Sequence, residues 1–381
     1  MLQIRSRSSA QAATGDHRSA KPAGGTNIVE LDADPRGRWG DFVRSRSDAL
    51  IYHHPLWLRV LADSYGFRPL GLGCEDMDGA LLGVLPLCYT RGILTRRTLS
   101  SLPRTPVAGP LAINDRVRWL LMTAAVERAR REGGVRLELK VPETGYTGAV
   151  RDTGRARWDP TYIRNLSGAV GELRFGNSRN HAQIKRAVSK SQRLGVEVRA
   201  AGSEADLRRW YDLYLRTLRL HGVPPRPYRF FQAAWRLLSR NGMMRLLLAE
   251  QRSAGRLLAG SVFFSYGNTT FFAFNGTRDD ALPLRPNDAI HWQAIHDAYT
   301  GGTVFYDLGE VDATNEGLAR FKTKWGAEPV WLYRYYYPTD HIPAPRSLDT
   351  GGYGKRLARM AWRRVPVGAT AVIGDWLYRY L

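Results

Sequence analysis

The stretch Phe305-Tyr-Asp-Leu-Gly-Glu310 predicts a strand that runs into an Asp-x-Gly turn. The next stretch, Asn315-Glu-Gly-Leu-Ala-Arg-Phe-Lys-Thr-Lys-Trp-Gly326, predicts a helix that ends at its glycine. Leu318, Phe321 and Trp325 recur at the spacing i, i+3 and i+7 and share one face of that helix, and we expect its aromatic residues, Phe321 and Trp325, to be core. Asp307 lies at the predicted carboxyl end of the strand, where α/β-type sheets place functional residues.

Outward from this stretch, one order of elements is predicted twice: helix, hairpin, strand, helix, strand. The hairpin joins residues 69–73 to 80–88 in the first copy and residues 244–249 to 257–265 in the second. We therefore predict a duplicated α+β unit, with domains at residues 28–165 and 166–340. Residues 1–27 are predicted to be a disordered basic tail, and residues 341–381 a basic C-terminal segment.

Composition indicates a globular protein with an anionic partner. The 381 residues include 56 Lys and Arg against 35 Asp and Glu, which gives a formal charge of +21. Nucleic acid, a membrane surface, or a phosphorylated or acidic substrate would each explain that excess. The two cysteines cannot form a disulfide scaffold, and no Cys/His cluster has the spacing of zinc ligands, so we predict no metal and a reducing cytoplasm.

The two ends of the chain were compared with the patterns of targeting and membrane-binding segments. The first 27 residues lack the apolar region of a secretory signal, and no apolar run approaches the roughly 18 residues of a membrane span. The segment after residue 340 carries seven Lys and Arg against two Asp. A membrane-surface helix, a disordered tail and a helix packed on the body remain open for it.

Asp307 to Ala327 resembles the FemAB-type acyltransferases, a branch of the GCN5-related N-acetyltransferase (GNAT) superfamily. Leu85-Pro-Leu87 and Val107-Ala-Gly-Pro110 match the first-domain pattern, and Arg179–Ala187 resembles the helix that opens the second domain. Leu284-Arg-Pro-Asn-Asp-Ala-Ile-His-Trp-Gln-Ala294 resembles the helix after its fourth strand. The chain is also similar to CelD-like proteins linked to cellulose and exopolysaccharide synthesis. The resemblance covers about Tyr52 to Tyr337 and implies two tandem GNAT-like acyltransferase domains with mixed sheets flanked by helices.

Acyl transfer to an amine requires a bound donor, a positioned amine and a stabilised oxyanion. A helix N-terminus suits a donor's pyrophosphate, so Arg285, Asn287, Asp288 and Ala289 are the predicted cofactor-binding residues, with Asn287 as N-cap. Because the superfamily's Gly-rich loop is not kept there, the donor is left open between acyl-CoA and aminoacyl-tRNA.

For catalysis we predict Asp307 as base, beside Tyr306 and Lys322; Lys322 could instead bind a phosphate or stabilise the oxyanion. Replacing Asp307 or Lys322 is expected to lower turnover more than folding stability.

The acceptor is predicted to be anionic. A basic stretch without acids offers five candidate substrate-binding residues: Arg179, Lys185, Arg186, Lys190 and Arg193. A solvated basic face would explain them equally well. His221, in a polar loop at a predicted helix end, is a further candidate.

We therefore predict a cytoplasmic acyltransferase that moves an acyl or aminoacyl group to an amine of a peptidoglycan or polysaccharide precursor. The acceptor would lie between the domains. Contact with tRNA and peripheral contact with an anionic membrane surface are further expectations, and the oligomeric state is open. The alternative is a non-catalytic RNA- or lipid-binding protein that keeps the fold.

Overall fold

The computed structural model describes residues 25–90, 97–142, 150, 152–167, 173–312, 314–342 and 360–380. Most of the predicted tail, residues 1–24, and residues 343–359 of the predicted C-terminal segment lie outside the described residues. Residue 27, which the sequence assigns to the tail, already begins a strand. Among the helices in these ranges, none is long and apolar enough to cross a membrane.

The first sheet carries most of the N-terminal half. Its strands in that half are β1 (Asn27–Leu31), β2 (Arg68–Glu75), β3 (Leu81–Thr90), β4 (Thr98–Ser100), β5 (Leu111–Ala112), β6 (Arg136–Pro142) and β7 (Gly154–Arg157). The accompanying helices are α1 (Arg38–Arg44), α2 (Pro55–Tyr65) and α3 (Asp115–Arg131). The predicted hairpin is confirmed as the antiparallel pair β2–β3.

The second sheet repeats this plan. The later strands are β8 (Thr161–Asn165), β9 (Val196–Ala200), β10 (Met244–Gln251), β11 (Arg256–Tyr266), β12 (Thr269–Thr277), β13 (Phe305–Glu310), β14 (Glu328–Val330) and β15 (Leu332–Tyr337). The later helices are α4 (Ser178–Arg193), α5 (Glu204–His221), α6 (Tyr228–Leu238), α7 (Pro286–Thr300), α8 (Glu316–Lys324) and α9 (Val367–Tyr380). In each sheet an antiparallel run is followed by one parallel pair, β4 with β6 and β12 with β13, so the predicted α+β duplication is confirmed.

The two sheets exchange a strand across residue 165. The first sheet has the order β1-β2-β3-β4-β6-β15-β7, so its sixth strand comes from the C-terminal half. The second has the order β14-β8-β13-β12-β11-β10-β9, and its strand β8 comes from before residue 166. The domain boundary at residue 165 therefore stays a prediction. Each sheet contains strands from both sides of that residue.

A shared hydrophobic core joins the halves. The Trp57 ring of α2 lies edge-on to Phe230 of α6 and Phe264 of β11, with ring centroids 6.1 and 5.0 Å apart. All three rings are buried. These contacts pack α2 of the first half against α6 and β11 of the second, so the two halves share one core.

The helix predicted from residues 315–326 is α8. Trp325 is fully buried and Phe321 is partly buried against the core, as predicted, whereas Leu318 on the same predicted face is 38% exposed. The helix ends one turn after Phe321, and Leu318 lies in its first turn, before the helix reaches the core. Gly326 follows in the left-handed conformation, with φ 78°.

Gly326→Ala is expected to lower the free energy of unfolding by about 2–5 kcal/mol. Besides the left-handed backbone, an added Cβ would lie 2.2 Å from Nη1 of Arg164, which donates to the Trp325 carbonyl. Gly302 has nearly the same φ, 77°, but no atom within 4 Å of an added Cβ. Thermal unfolding of Gly326→Ala and Gly302→Ala is compared, because the two glycines share the same backbone conformation and differ in the space around an added Cβ. Equal losses of unfolding free energy in the two variants would refute a steric contribution at Gly326.

Candidate active site

A cavity of about 580 Å³ lies between the two sheets. Strands β4, β6 and β15 and the loop at residues 103–106 form one wall, and strands β11, β12 and the end of β13 form the other. Tyr52, Trp57, Arg226 and Tyr378 complete the lining. Four cationic side chains (Arg104, Lys140, Arg226 and Arg334) and two anionic ones (Glu138 and Glu310) face it, so the lining is net positive.

Strand β6 supplies a buried ion cluster to this cavity. Leu137, Leu139 and Val141 point into the core, so alternation along the strand turns Glu138 and Lys140 to the other face. Arg334 of β15, the neighbouring strand, donates to the Glu138 carboxylate, and the Lys140 ammonium lies 3.7 Å from it.

Burial determines the protonation of this cluster. It lowers the pKa of Lys140 to about 8, while Glu138 opposes the shift and Arg334 adds to it. Burial raises the pKa of Glu138, but Lys140 and Arg334 outweigh it, and the pKa of Glu138 falls below its ordinary value. The Lys140 ammonium donates to the carbonyls of Leu102 and Thr105 at 3.0 and 3.3 Å. The cluster is therefore a fixed cationic wall at neutral pH.

Arg226 ties the two halves together at the cavity. It lies just before α6, and its guanidinium donates to the Tyr65 hydroxyl at 3.3 Å and to the Arg104 carbonyl. Its guanidinium also lies 4.8 Å from the centroid of Phe230. These contacts orient one more cation toward the space between the sheets.

Asp307 organises the turn at the end of β13 and does not line the cavity. Its buried carboxylate accepts from the Thr161 hydroxyl and, at 2.7 Å, from the Gly309 N–H. Burial raises its pKa, and those two hydrogen bonds and Lys322 oppose the rise. The turn carries Gly309 and Glu310 to the cavity wall.

Lys322 supports the same turn from α8. Its buried ammonium donates to the carbonyls of Gly309 and Glu310 at 2.8 and 3.1 Å. Burial lowers its pKa to about 8, opposed by Asp307 and Glu310. The structure thus brings the predicted residues Asp307 and Lys322 together, one layer behind the cavity lining.

Tyr306 faces the opposite side of the sheet. Its ring is fully buried in the core of the second sheet, and its hydroxyl lies 3.1 Å from Nδ1 of His291. Burial raises the pKa of Tyr306 and lowers that of His291 to about 3. The geometry gives Tyr306 no contact with the cavity, and its catalytic role stays a prediction without support here.

The predicted donor site lies at the start of α7, and none of its four residues lines the cavity. Arg285 and not Asn287 occupies the N-cap position, with φ 58°, which corrects that prediction. The helix begins with Pro286, and the Asn287 side chain accepts instead from Asn275 and Thr277 of β12, at 3.3 and 3.0 Å. Asp288 is buried and accepts from Lys324 at 2.9 Å, and Ala289 is buried beside it.

The remaining predicted substrate residues lie on the surface, outside the cavity lining. Helix α4 carries them, and all are exposed: Arg179, Lys185, Arg186, Lys190 and Arg193. Its buried side chains, including Ile184 and Val188, lie on the other face. His221 is exposed at the last residue of α5. Nothing in the geometry connects these six residues to the cavity.

The charged residues that do line the cavity are not among those predicted from the sequence, chiefly Lys140, Arg334, Arg226 and Arg104. One signal was available for Lys140, because β6 alternates apolar residues with Glu138 and Lys140. Arg104 and Arg226 each lie between prolines, in loops where sequence gives no direction for a side chain. Among the described residues, no group of three His, Cys, Asp or Glu is placed to hold a metal ion.

Comparisons with known proteins agree with this architecture. Residues 178–323 match the family model for an acetyltransferase (GNAT) domain. Over 307 residues the chain is 26% identical to a UDP-N-acetylmuramoylpentapeptide-lysine N(6)-alanyltransferase of Weissella viridescens, covering 76% of this chain and 89% of that protein.

Solved structures show the same fold. The crystal structure of FemX is 14% identical, with a TM-score of 0.62, over 81% of this chain and 97% of that one. The structure of L-PGS from Bacillus licheniformis is 14% identical, with a TM-score of 0.55, over 88% of this chain and 98% of that one.

The two sheets of like order, the acetyltransferase domain match and the relationship to an alanyltransferase lead to one conclusion. The chain is an acyltransferase built from two tandem GNAT-like units, with an acetyltransferase (GNAT) domain at residues 178–323, and it is similar to the FemAB-like branch in sequence and in fold.

Proposed function

We propose that this acyltransferase moves an acyl or aminoacyl group to an amine of an anionic cell-envelope precursor, and that the cavity between the sheets binds this acceptor. The observation that carries the proposal is the cavity lining, with four cations against two anions, most of them held in ion pairs or hydrogen bonds. The relative from Weissella acts, by its name, on a UDP-linked muramoyl pentapeptide at a lysine amine. A diphosphate and a primary amine together match such a lining.

The chemistry needs few groups. The neutral amine attacks the carbonyl carbon of the donor, a C–N bond forms, and the ester or thioester bond to the tRNA or CoA breaks. The amine's proton must leave, and Glu310 is the carboxylate at the end of β13 that reaches the cavity. Asp307 and Lys322 then act as positioning residues, because they hold the turn that carries Glu310.

The donor would approach from the second sheet. The β12–β13 ladder ends at Phe271 and Asp307, and farther along β12 the Asn275 amide donates to Asn287 in the first turn of α7. Acyl-CoA and aminoacyl-tRNA both remain candidates, and we place the reaction in the cytoplasm, where both donors occur.

The test is a transfer assay with alanyl-tRNA, acetyl-CoA and a longer acyl-CoA as donors, against UDP-N-acetylmuramoylpentapeptide or an amino sugar precursor. Product is expected with one donor, and blocking the acceptor amine should abolish it. No transfer with any pair, together with RNA binding that is indifferent to charging and lost in salt, would instead support the non-catalytic alternative.

Acceptor binding is expected to weaken above about pH 8, where Lys140 loses its proton. Because the folded pKa lies below the ordinary 10.5, the unfolded chain binds more protons between these values. As the pH rises from about 8 to 10.5, the contribution of Lys140 therefore increases the free energy of unfolding, while acceptor binding weakens. The titration of Lys140 thus cannot weaken binding by unfolding the protein.

Acceptor dissociation constants at pH 6.5 and 9.5 check this, with Lys140→Arg as the matched control that stays charged. Burial is the main cause of the lowered pKa of Lys140, and the charges that act on it are Glu138 and Glu310, which raise it, and Arg334 and Arg104, which lower it. If Lys140→Arg lost affinity at pH 9.5 as the wild type does, another group would control binding.

A further inference from the structure

The C-terminal helix α9 is anchored on the body beside the cavity. Asp375 pairs with Arg229 of α6 at 3.3 Å, and Arg363, just before the helix, donates to the Leu220 carbonyl at 2.8 Å. At Gly374 the helix approaches so closely that an added Cβ would lie 2.4 Å from the Pro225 carbonyl oxygen. Of the three alternatives for this segment, its described part is therefore a helix packed on the body.

Tyr378 brings this helix into the cavity lining. Its ring stacks on Tyr65 of α2, with centroids 6.1 Å apart and planes 23° apart. The guanidinium carbons of Arg104 and Arg226 lie 5.1 and 5.8 Å from its centroid. The ring thus contacts both guanidinium groups at one end of the cavity.

Arg104 carries two donor atoms that are unpaired within the described part of the chain. It has a left-handed backbone with φ 66° between Pro103 and Thr105, and it lines the cavity. Its Nε and Nη2 atoms are buried and, among the described residues, have no hydrogen-bond partner. These two atoms form the edge of a guanidinium that donates two parallel hydrogen bonds to the oxygens of one phosphate or carboxylate. A buried donor pair without a partner is costly, and an anion would remove that cost.

We propose that Arg104 forms a phosphate subsite at this end of the cavity, and that Tyr378 of the C-terminal helix is the positioning residue that holds its guanidinium there. The inference rests on the proposed function, because the ligand would be the phosphate or diphosphate of the acceptor. It adds that the segment after residue 340 is part of the substrate site. Tyr378 touches Arg104 and acts through it.

The experiment is calorimetric titration of the full chain with inorganic pyrophosphate and with UDP. Arg104→Gln is expected to weaken both about 10- to 100-fold. Tyr378→Leu should weaken both several-fold, and Tyr378→Phe, which keeps the ring, should stay within about twofold of the wild type. Trp376→Ala is the matched control, because Trp376 lies on the same helix and is 53% exposed.

Two results would overturn the inference: wild-type affinity in Arg104→Gln, or equal affinities for Tyr378→Leu and Trp376→Ala. Thermal unfolding of each variant identifies losses that come from misfolding, and a loss well beyond twofold in a stably folded Tyr378→Phe would also contradict the role given to the ring. Because binding is measured without transfer, the two proposals fail separately. Arg104-dependent binding without transfer refutes only the function, and transfer with Arg104-independent binding refutes only the subsite.

Discussion

Neither half of the chain is expected to fold alone when it is cut at residue 165. The fragment 25–165 would lack β15, which lies between β6 and β7 and brings the buried residues Leu332 and Tyr335. The fragment 166–381 would lack β8, which pairs with both β13 and β14. Since the free energy of unfolding of a whole domain is only about 5–15 kcal/mol, the free energy lost with an interior strand should exceed it.

Circular dichroism and thermal unfolding of the separate and co-expressed fragments check this. The co-expressed halves should associate and unfold cooperatively. A matched fragment, 161–381, differs from 166–381 only in keeping β8, and it should be the more stable of the two. If 166–381 unfolded cooperatively at the temperature of the intact chain, the exchanged strand would not matter to the fold.

Glu310→Gln is expected to lower kcat by about 100-fold or more while leaving the KM for the acceptor nearly unchanged. The amide keeps the shape and cannot accept the proton that the amine must lose. Asp307→Asn should behave differently, because Asp307 is buried and accepts from Thr161 and Gly309. Its loss should lower the free energy of unfolding by about 1–3 kcal/mol and reduce kcat only through the turn.

Steady-state kinetics of the two variants, each beside its thermal unfolding curve, separate a base from a positioning residue. The sequence alone predicts the opposite for Asp307, with turnover falling more than stability. Wild-type kcat in Glu310→Gln together with a large loss in a stable Asp307→Asn would restore Asp307 as the base.

Local patterns predicted local structure well. The strand that carries Asp307, the turn at Gly309 and the helix that ends just before Trp325 follow from residues that are close in sequence. Tyr306 is an exception. The sequence places it next to Asp307, but adjacent residues of a strand point to opposite faces of the sheet, so the two side chains do not enter the same site.

The site itself depends on pairings that no local pattern contains. Glu138 and Arg334 are close only because β15 crosses into the first sheet, and Arg226 reaches Arg104 from the other half of the chain. The charge excess is visible in the sequence, but it points to α4, where basic residues recur at short intervals without acids. The cations of the cavity are isolated in sequence and meet only in the folded chain.

The most direct measurement is a titration of the chain with UDP-N-acetylmuramoylpentapeptide, comparing Lys140→Met in the cavity with Lys190→Met on α4. Lys140 is buried beside Glu138, whereas Lys190 is exposed. The cavity account predicts that Lys140→Met weakens binding about 10- to 100-fold and that Lys190→Met leaves it unchanged. Loss of affinity in Lys190→Met, with wild-type affinity in a folded Lys140→Met, would contradict the account and place the acceptor on the basic helix.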